Sequence, residues 1–252
     1  MIEQFLYFLL GLAASVYGTI VGAGGGFIAS PTLLVLGNPP SSASHHSLFL
    51  VLASAAMGSI SYSLRKVGSL RVSALYTSPG FVGGLLGPFT HLYINEVTYK
   101  ISFATLLICV AIYLVLRREK RKGEVGSTLQ GLRYRYLIPL LSFIMGAVGS
   151  LFGIGGGTLM SPALILMGID VHLAVSVSLT LATFTGLSGL LSYSLFSHVD
   201  LLIVIPLIVG GLIGGRIAPR IAIRMGRRWV VRLLSLALLI LALSLIEESL
   251  QA

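Results

Sequence analysis

Eight nearly uncharged apolar runs, at about 4–22, 43–64, 70–92, 97–116, 136–153, 172–196, 200–215 and 229–246, constrain this chain more than any other feature. Each is close to the ~20 residues that carry a helix across a ~30 Å hydrocarbon layer. Only 10% of the residues are charged and 56% are hydrophobic, where a soluble chain carries roughly 25% charged residues. Such a composition cannot cover a solvated surface, which excludes a soluble enzyme, a secreted domain and a DNA-binding protein. The expected fold is all-α, a polytopic helical membrane protein. The formal charge of +9 then reports where loops sit relative to the cytoplasm, with no nucleic-acid partner implied. Cys109 is the single cysteine and lies inside an apolar run, so neither a disulfide framework nor a thiol metal site is expected. The first run lacks a basic leader and carries Glu3, which argues against a cleaved signal peptide.

Two shorter apolar pieces, at about 27–37 and 158–168, follow glycine clusters. At half the spanning length they read as broken or re-entrant half-helices. Sliding the sequence by 131 positions lays Gly18–Leu64 on Gly149–Leu195 with 18 of 47 positions identical, against roughly 10% from shared composition. The chain therefore reads as a first repeat over 1–116, a basic linker over 117–135 and a second repeat over 136–252. Arg65, Lys66 and Arg71 follow the long run of the first copy, whereas the equivalent loop near His198–Asp200 has no lysine or arginine. The basic cluster of the second copy comes one loop later, from Arg216 to Arg232. By the positive-inside rule equivalent loops face opposite sides, which predicts inverted repeats in a bacterial cytoplasmic membrane with both termini external.

The glycine clusters Gly22, Gly24, Gly25, Gly26 and Gly153, Gly155, Gly156, Gly157 match neither a phosphate-binding loop nor a dinucleotide fingerprint. They admit two readings. One is close helix packing of the small-xxx-small kind, suggested by Gly18 with Gly22 and Gly149 with Gly153. The other is unwinding at membrane depth, since each glycine destabilises a helix interior by roughly 1 kcal/mol and non-helical backbone there must line a cavity or be buried in protein. Each cluster leads into a serine–proline pair, Ser30–Pro31 and Ser161–Pro162, a good N-cap and first residue for a helix. Two half-helix N-termini meeting near the midplane would suit an anion. Whether the glycines, with Thr158 beside them, or the serine–proline caps supply the donors stays open at this level.

Serine and threonine recur in the runs that follow, among them Ser47, Ser54, Ser61, Ser178, Thr185 and Ser192. Many such hydroxyls bond the carbonyl one turn back, yet as a set they could line a hydrophilic path. Tyr62 and Tyr193 read as interfacial anchors as readily as pore residues. His45 and His46 have no histidine counterparts in the second repeat and read as an external loop position or as a gate on the pathway. Arg216 reads as a side chain snorkelling to the cytoplasmic face or as an anion partner on the pathway. All eight carboxylates fall in loops or at segment ends, so no intramembrane proton relay is expected, nor any metal, cofactor or catalytic set.

The pattern G-x-x-x-G-x-G-G-G-x-x-x-S-P, from Gly18 to Pro31 and again, with its last glycine at Gly157, from Gly149 to Pro162, resembles the TauE/SafE sulfite-exporter family of membrane transporters. The resemblance implies export, or in some members uptake, of a small sulfur-containing or organic anion such as sulfite, sulfoacetate or a related organosulfonate. It carries the family's glycine-rich motifs onto Gly22, Gly24, Gly25, Gly26, Ser30 and Pro31 and onto Gly153, Gly155, Gly156, Gly157, Ser161 and Pro162. The resulting expectation is a carrier working by alternating access. An anion channel, or a membrane assembly or receptor subunit that transports nothing, stands as the alternative. The expected partners are the anion and the lipid bilayer, with a homodimer the default oligomer on symmetry grounds.

Overall fold

The computed structural model describes residues 2–95, 97–99, 101–105, 108, 132–224 and 236. Among these the regular structure is entirely helical. Helix α1 (Ile2–Val21) ends at the first glycine cluster, α2 (Gly26–Val35) restarts after it, and α3 (Pro40–Leu64) follows. Helices α4 (Leu70–Thr77) and α5 (Pro79–Leu86) lead into a 3-10 turn at Gly87–Leu92. After the linker the order recurs: α6 (Leu132–Leu151), α7 (Gly157–Leu166), α8 (Val171–Tyr193) and α9 (Leu201–Ala222). The starts of α2, α3 and α4 and those of α7, α8 and α9 differ by 131 residues in each case (157 − 26, 171 − 40, 201 − 70). The linker up to residue 131, most of the run at 97–116 including Cys109, and nearly all of the run at 229–246 lie outside the described residues.

Four described helices, α1, α3, α8 and α9, are long and apolar enough to cross a membrane. Helices α2 and α7 have 10 residues each, about 15 Å of rise, which is half a hydrocarbon layer. Both end alike: the Gly37 and Gly168 amides donate back into the last turn at 2.8 and 3.1 Å, with φ of 84° and 89° that a glycine adopts without strain. Asp170 and Asp200 cap α8 and α9, accepting from the His172 and Leu202 amides at 2.9 and 2.8 Å, so these two carboxylates serve to start helices. The run at 70–92 departs from the single span expected of it. Pro79 and Pro88 each remove a backbone donor, and the segment forms three short helical pieces.

The two long central helices pack antiparallel. Gly189 faces Leu48, Gly186 faces Leu52, and Gly58 faces Leu179, so numbers rise along α3 as they fall along α8. His45 near the start of α3 stacks on Tyr193 at the end of α8, with centroids 5.7 Å apart. On the flanks α1 packs along α9 and α5 along α6. These pairs are close because glycine lies between them: a Cβ on Gly210 would stand 2.6 Å from the Phe8 carbonyl, and one on Gly11 would stand 2.8 Å from that of Leu207. Close packing thus accounts for glycines of these flanking helices.

Candidate functional site

Both glycine clusters are unwound, as one of the two sequence readings expects. Gly22, Gly24 and Gly25 have φ of 88°, 73° and 90°, and Gly153 and Gly155 have φ of 68° and 72°, the left-handed region that only glycine enters cheaply. Gly25 caps α2 from this conformation, while its counterpart Gly156 is right-handed at −59°. The glycines therefore start the half-helices. The expectation that Ser30 and Ser161 are N-caps with Pro31 and Pro162 as first residues is corrected: all four lie inside α2 and α7. Proline in the second turn withholds the donor that the carbonyl four residues back would otherwise receive, which leaves the Phe27 and Thr158 carbonyls unpaired within their helices.

The two turns cross each other at mid-length of α3 and α8. A Cβ on Gly26 would meet the Gly153 carbonyl at 2.6 Å, and one on Gly157 would meet the Gly22 carbonyl at 2.6 Å. Gly24 and Gly155 both lie against Val51 of α3. The amides of Gly25, Gly26 and Phe27 find no acceptor among the described residues, whereas the Gly156 amide donates to Thr185 Oγ1 at 3.0 Å. Thr158 spends its hydroxyl on the Ile154 carbonyl at 3.0 Å.

Hydroxyls of the neighbouring helices treat the two sides of this crossing differently. On the Gly153 side, Ser30 donates to the Phe152 carbonyl at 2.8 Å and Ser47 to the Gly153 carbonyl at 2.8 Å. Their counterparts on the Gly22 side, Ser161 and Ser178, are fully buried with no partner, although Ser161 Oγ would lie only 3.1 Å from a Cβ on Gly22. The division continues outward. Tyr193 donates to the Leu151 carbonyl at 2.7 Å, Ser192 to Leu85 at 2.8 Å and Ser150 to Ala147 at 3.1 Å. Their counterparts Tyr62, Ser61 and Thr19 have no partner. A sixth pair, Ser54 and Thr185, is satisfied in both copies, with Ser54 donating to the Gly24 carbonyl. Several remaining hydroxyls, including Thr180 and Thr183, bond the carbonyl one turn back.

Beyond the Gly153 side, Ser44, His91 and Tyr193 converge on the Leu151 carbonyl at 3.4, 3.2 and 2.7 Å, and Tyr99 bonds Ser44 at 2.8 Å. His45 and His46 belong here too, and the loop position read from the sequence is corrected: both are buried in the second turn of α3. His46 Nε2 accepts from the Asp200 amide at 3.0 Å. Tyr62 and Tyr193 are fully buried, so neither is an interfacial anchor. Arg216 is exposed near the end of α9 and shares a cavity with Arg65 and Arg220. Among the described residues no three His, Cys, Asp or Glu side chains gather closely enough to hold a metal ion.

Ser47, Ser54 and Thr185 belong to no motif, yet they satisfy the turns. Register is the signal that finds them, because each faces a hydroxyl residue 131 positions away in the other copy.

Comparison with known proteins follows the same outline. A family described as sulfite exporter TauE/SafE matches residues 7–245. A probable membrane transporter protein, YunE of Bacillus subtilis, is 25% identical over 95% of this chain and 96% of its own length. A probable membrane transporter protein of Haemophilus influenzae is 29% identical over 76% of this chain and 72% of its own. Sulfite exporter TauE/SafE family protein 6 of Arabidopsis thaliana is 26% identical over 50% of this chain and 31% of its own. No solved structure matches the chain.

Proposed function

Because the chain belongs to the TauE/SafE sulfite exporter family, we propose that it carries a small sulfur-containing anion, such as sulfite or an organosulfonate, out of the cell by alternating access. It is a transporter by family, and on this reading it catalyses no covalent chemistry. The site is the crossing of the glycine turns. The free amides of Gly25, Gly26 and Phe27 and the N-terminal end of α2 supply donors and a favourable field for negative charge. The Ser161 and Ser178 hydroxyls complete the shell. These two unpartnered hydroxyls, buried beside the Gly22 turn, are the observation that carries the reading. A buried polar group without a partner costs about 1–3 kcal/mol, and an anion would remove that cost.

The antiparallel pairing of α3 with its counterpart α8 supports an inverted-repeat arrangement. The arginines at the end of α3 and along α9 support placing the Gly22 side toward the cytoplasm. Five hydroxyls of the outer side donate to carbonyls while their inner counterparts donate to none, although Ser54 and Ser47 hold the Gly24 and Gly26 carbonyls; this inequality supports assigning the molecule to the inward-facing half of a two-state cycle. That inequality favours a carrier over a channel, whose static constriction has no reason to treat its two halves differently. Export then follows membrane potential: a negative interior expels a monoanion with about 2.3 kcal/mol per 100 mV, roughly a 50-fold gradient.

Purified protein in liposomes, assayed for sulfite counterflow at clamped voltages with sulfoacetate as competitor, tests the proposal. Saturable, voltage-dependent exchange blocked by sulfoacetate is expected. Unitary currents without counterflow, or no flux from folded protein, would overturn it.

A further inference from the structure

A cluster of three arginines around a cavity lies apart from the crossing. Arg65 at the end of α3 and Arg216 and Arg220 of α9 line a cavity of about 300 Å³ together with Ser61 and Leu64. That volume holds about ten waters, room for a partly hydrated anion of a few heavy atoms. The three guanidinium groups make no ion pair among the described residues, and no described carboxylate lines the cavity. Ser61 is 4% exposed and its hydroxyl has no partner, so the wall offers one buried donor beside three exposed cations.

We infer that this cavity is an oxyanion-binding vestibule feeding the crossing. The inference rests on the transport reading for its role but not for its chemistry. Arginine presents a planar fork of donors that fits two oxygens of one sulfonate, sulfite or phosphate group, and three forks around one cavity repel cations and focus anions. The vestibule is also connected by position. Ser61 lies seven residues along α3 from Ser54, which bonds the Gly24 carbonyl, a rise of about 10 Å. Arg216 directly follows Gly215, whose Cβ would stand 2.5 Å from the Ser54 carbonyl. Ser61 and Ser54 thus lie on one face of α3, which supports that face as the route from the arginines to the buried glycine turns.

Lipid phosphate has the same oxyanion chemistry as a soluble anion, so the test separates the two. The full chain with Ser61→Cys and Cys109→Ala is placed in phosphatidylcholine nanodiscs. The introduced thiol is then reacted with a sulfonate-bearing and with a trimethylammonium-bearing methanethiosulfonate. Adding Arg216→Gln with Arg220→Gln is expected to lower the ratio of anionic to cationic reaction rates at least tenfold, and 50 mM inorganic sulfate is expected to protect the arginine-containing protein. Protection that appears only when phosphatidylglycerol is present would assign the vestibule's oxyanion to a lipid headgroup and overturn its role as an entry site. An unchanged ratio, or a thiol that neither reagent reaches, would overturn the vestibule. None of these readouts requires transport, so a failure of the sulfite assay leaves this test intact. If sulfite does move, the double arginine variant should raise KM at least tenfold for anion entering from the arginine side and leave KM from the other side unchanged.

Discussion

The two sides of the glycine crossing are built from the same short sequence and are not in the same condition. Around Gly153, the hydroxyls of Ser30, Ser47, Ser192 and Tyr193 donate to backbone carbonyls of other elements, and that of Ser150 donates to a carbonyl one turn back in its own helix. Around Gly22, their counterparts Ser161, Ser178, Thr19, Ser61 and Tyr62 donate to none. A duplicated unit cannot encode that difference in its motif, because the residues are the same or differ only by a methyl. The difference comes from what surrounds these hydroxyls, both the seating of the two copies against each other and the neighbouring residues in which the copies differ, such as Val21 and Phe152. If one copy rocks, the bonds on one side can be exchanged for those on the other at little net cost, since each buried hydroxyl bond in a membrane protein is worth only about 0.6–1 kcal/mol. Cheap, exchangeable latches suit the proposed alternating-access carrier.

The largest effects should come from forcing side chains into the turns unequally. Gly25→Ala meets a φ of 90° and the Ala14 carbonyl at 2.7 Å, while Gly156→Ala keeps an ordinary φ and meets the Met145 carbonyl at 2.9 Å. Thermal denaturation in detergent should therefore show Gly25→Ala losing more stability, by about 1–2 kcal/mol. Equal losses would mean that the turns are equivalent in solution. Next in size is the pair of serine doubles. Ser161→Ala with Ser178→Ala should raise the sulfite KM about tenfold, the weight of roughly one charge-assisted hydrogen bond, while raising the Tm of the anion-free protein, because two unpartnered buried hydroxyls are removed. Ser30→Ala with Ser47→Ala should lower stability by about 1–2 kcal/mol and speed anion entry from the Gly153 side. The smallest effect separates the tyrosines: Tyr193→Phe removes the bond to the Leu151 carbonyl and should cost about 1 kcal/mol, whereas Tyr62→Phe removes none. A Tyr62→Phe variant as unstable as Tyr193→Phe would erase the distinction.

Much of this architecture is readable from the residues, and its limits have physical causes. The 131-residue register, the long runs and the two half-length pieces follow from hydropathy and repetition, and the starts of α2 and α7 fall within one residue of where those pieces begin. Ser30 misleads as a helix start because a serine before proline is a strong local cap signal. A left-handed glycine turn offers the competing start, and burial of the whole turn against α1 and α3 decides for it. His45 and His46 look like loop residues after a proline-rich stretch, but Pro40 opens α3 and carries both histidines into its second turn. The hydroxyl latches are out of reach of sequence because their partners lie far off, 122 residues away for Ser30 and 106 for Ser47. The arginine vestibule likewise joins α3 to α9. Arg216 could be read from the sequence as a snorkelling side chain or as an anion partner, but its meeting with Arg65 and Arg220 across the two helices could not.

Side-specific cysteine accessibility at Ser47 and Ser178 tests the inequality most directly. Each position is substituted by cysteine in the Cys109→Ala background, and oriented vesicles are treated with a membrane-impermeant thiol reagent from either face. Ser178→Cys is expected to react from the face carrying the arginines and Ser47→Cys from neither, with the pattern exchanging when saturating anion is supplied only on the opposite face. Equal reactivity of the two positions from one face, or a Ser47→Cys that reacts while Ser178→Cys does not in the absence of anion, would contradict the inequality.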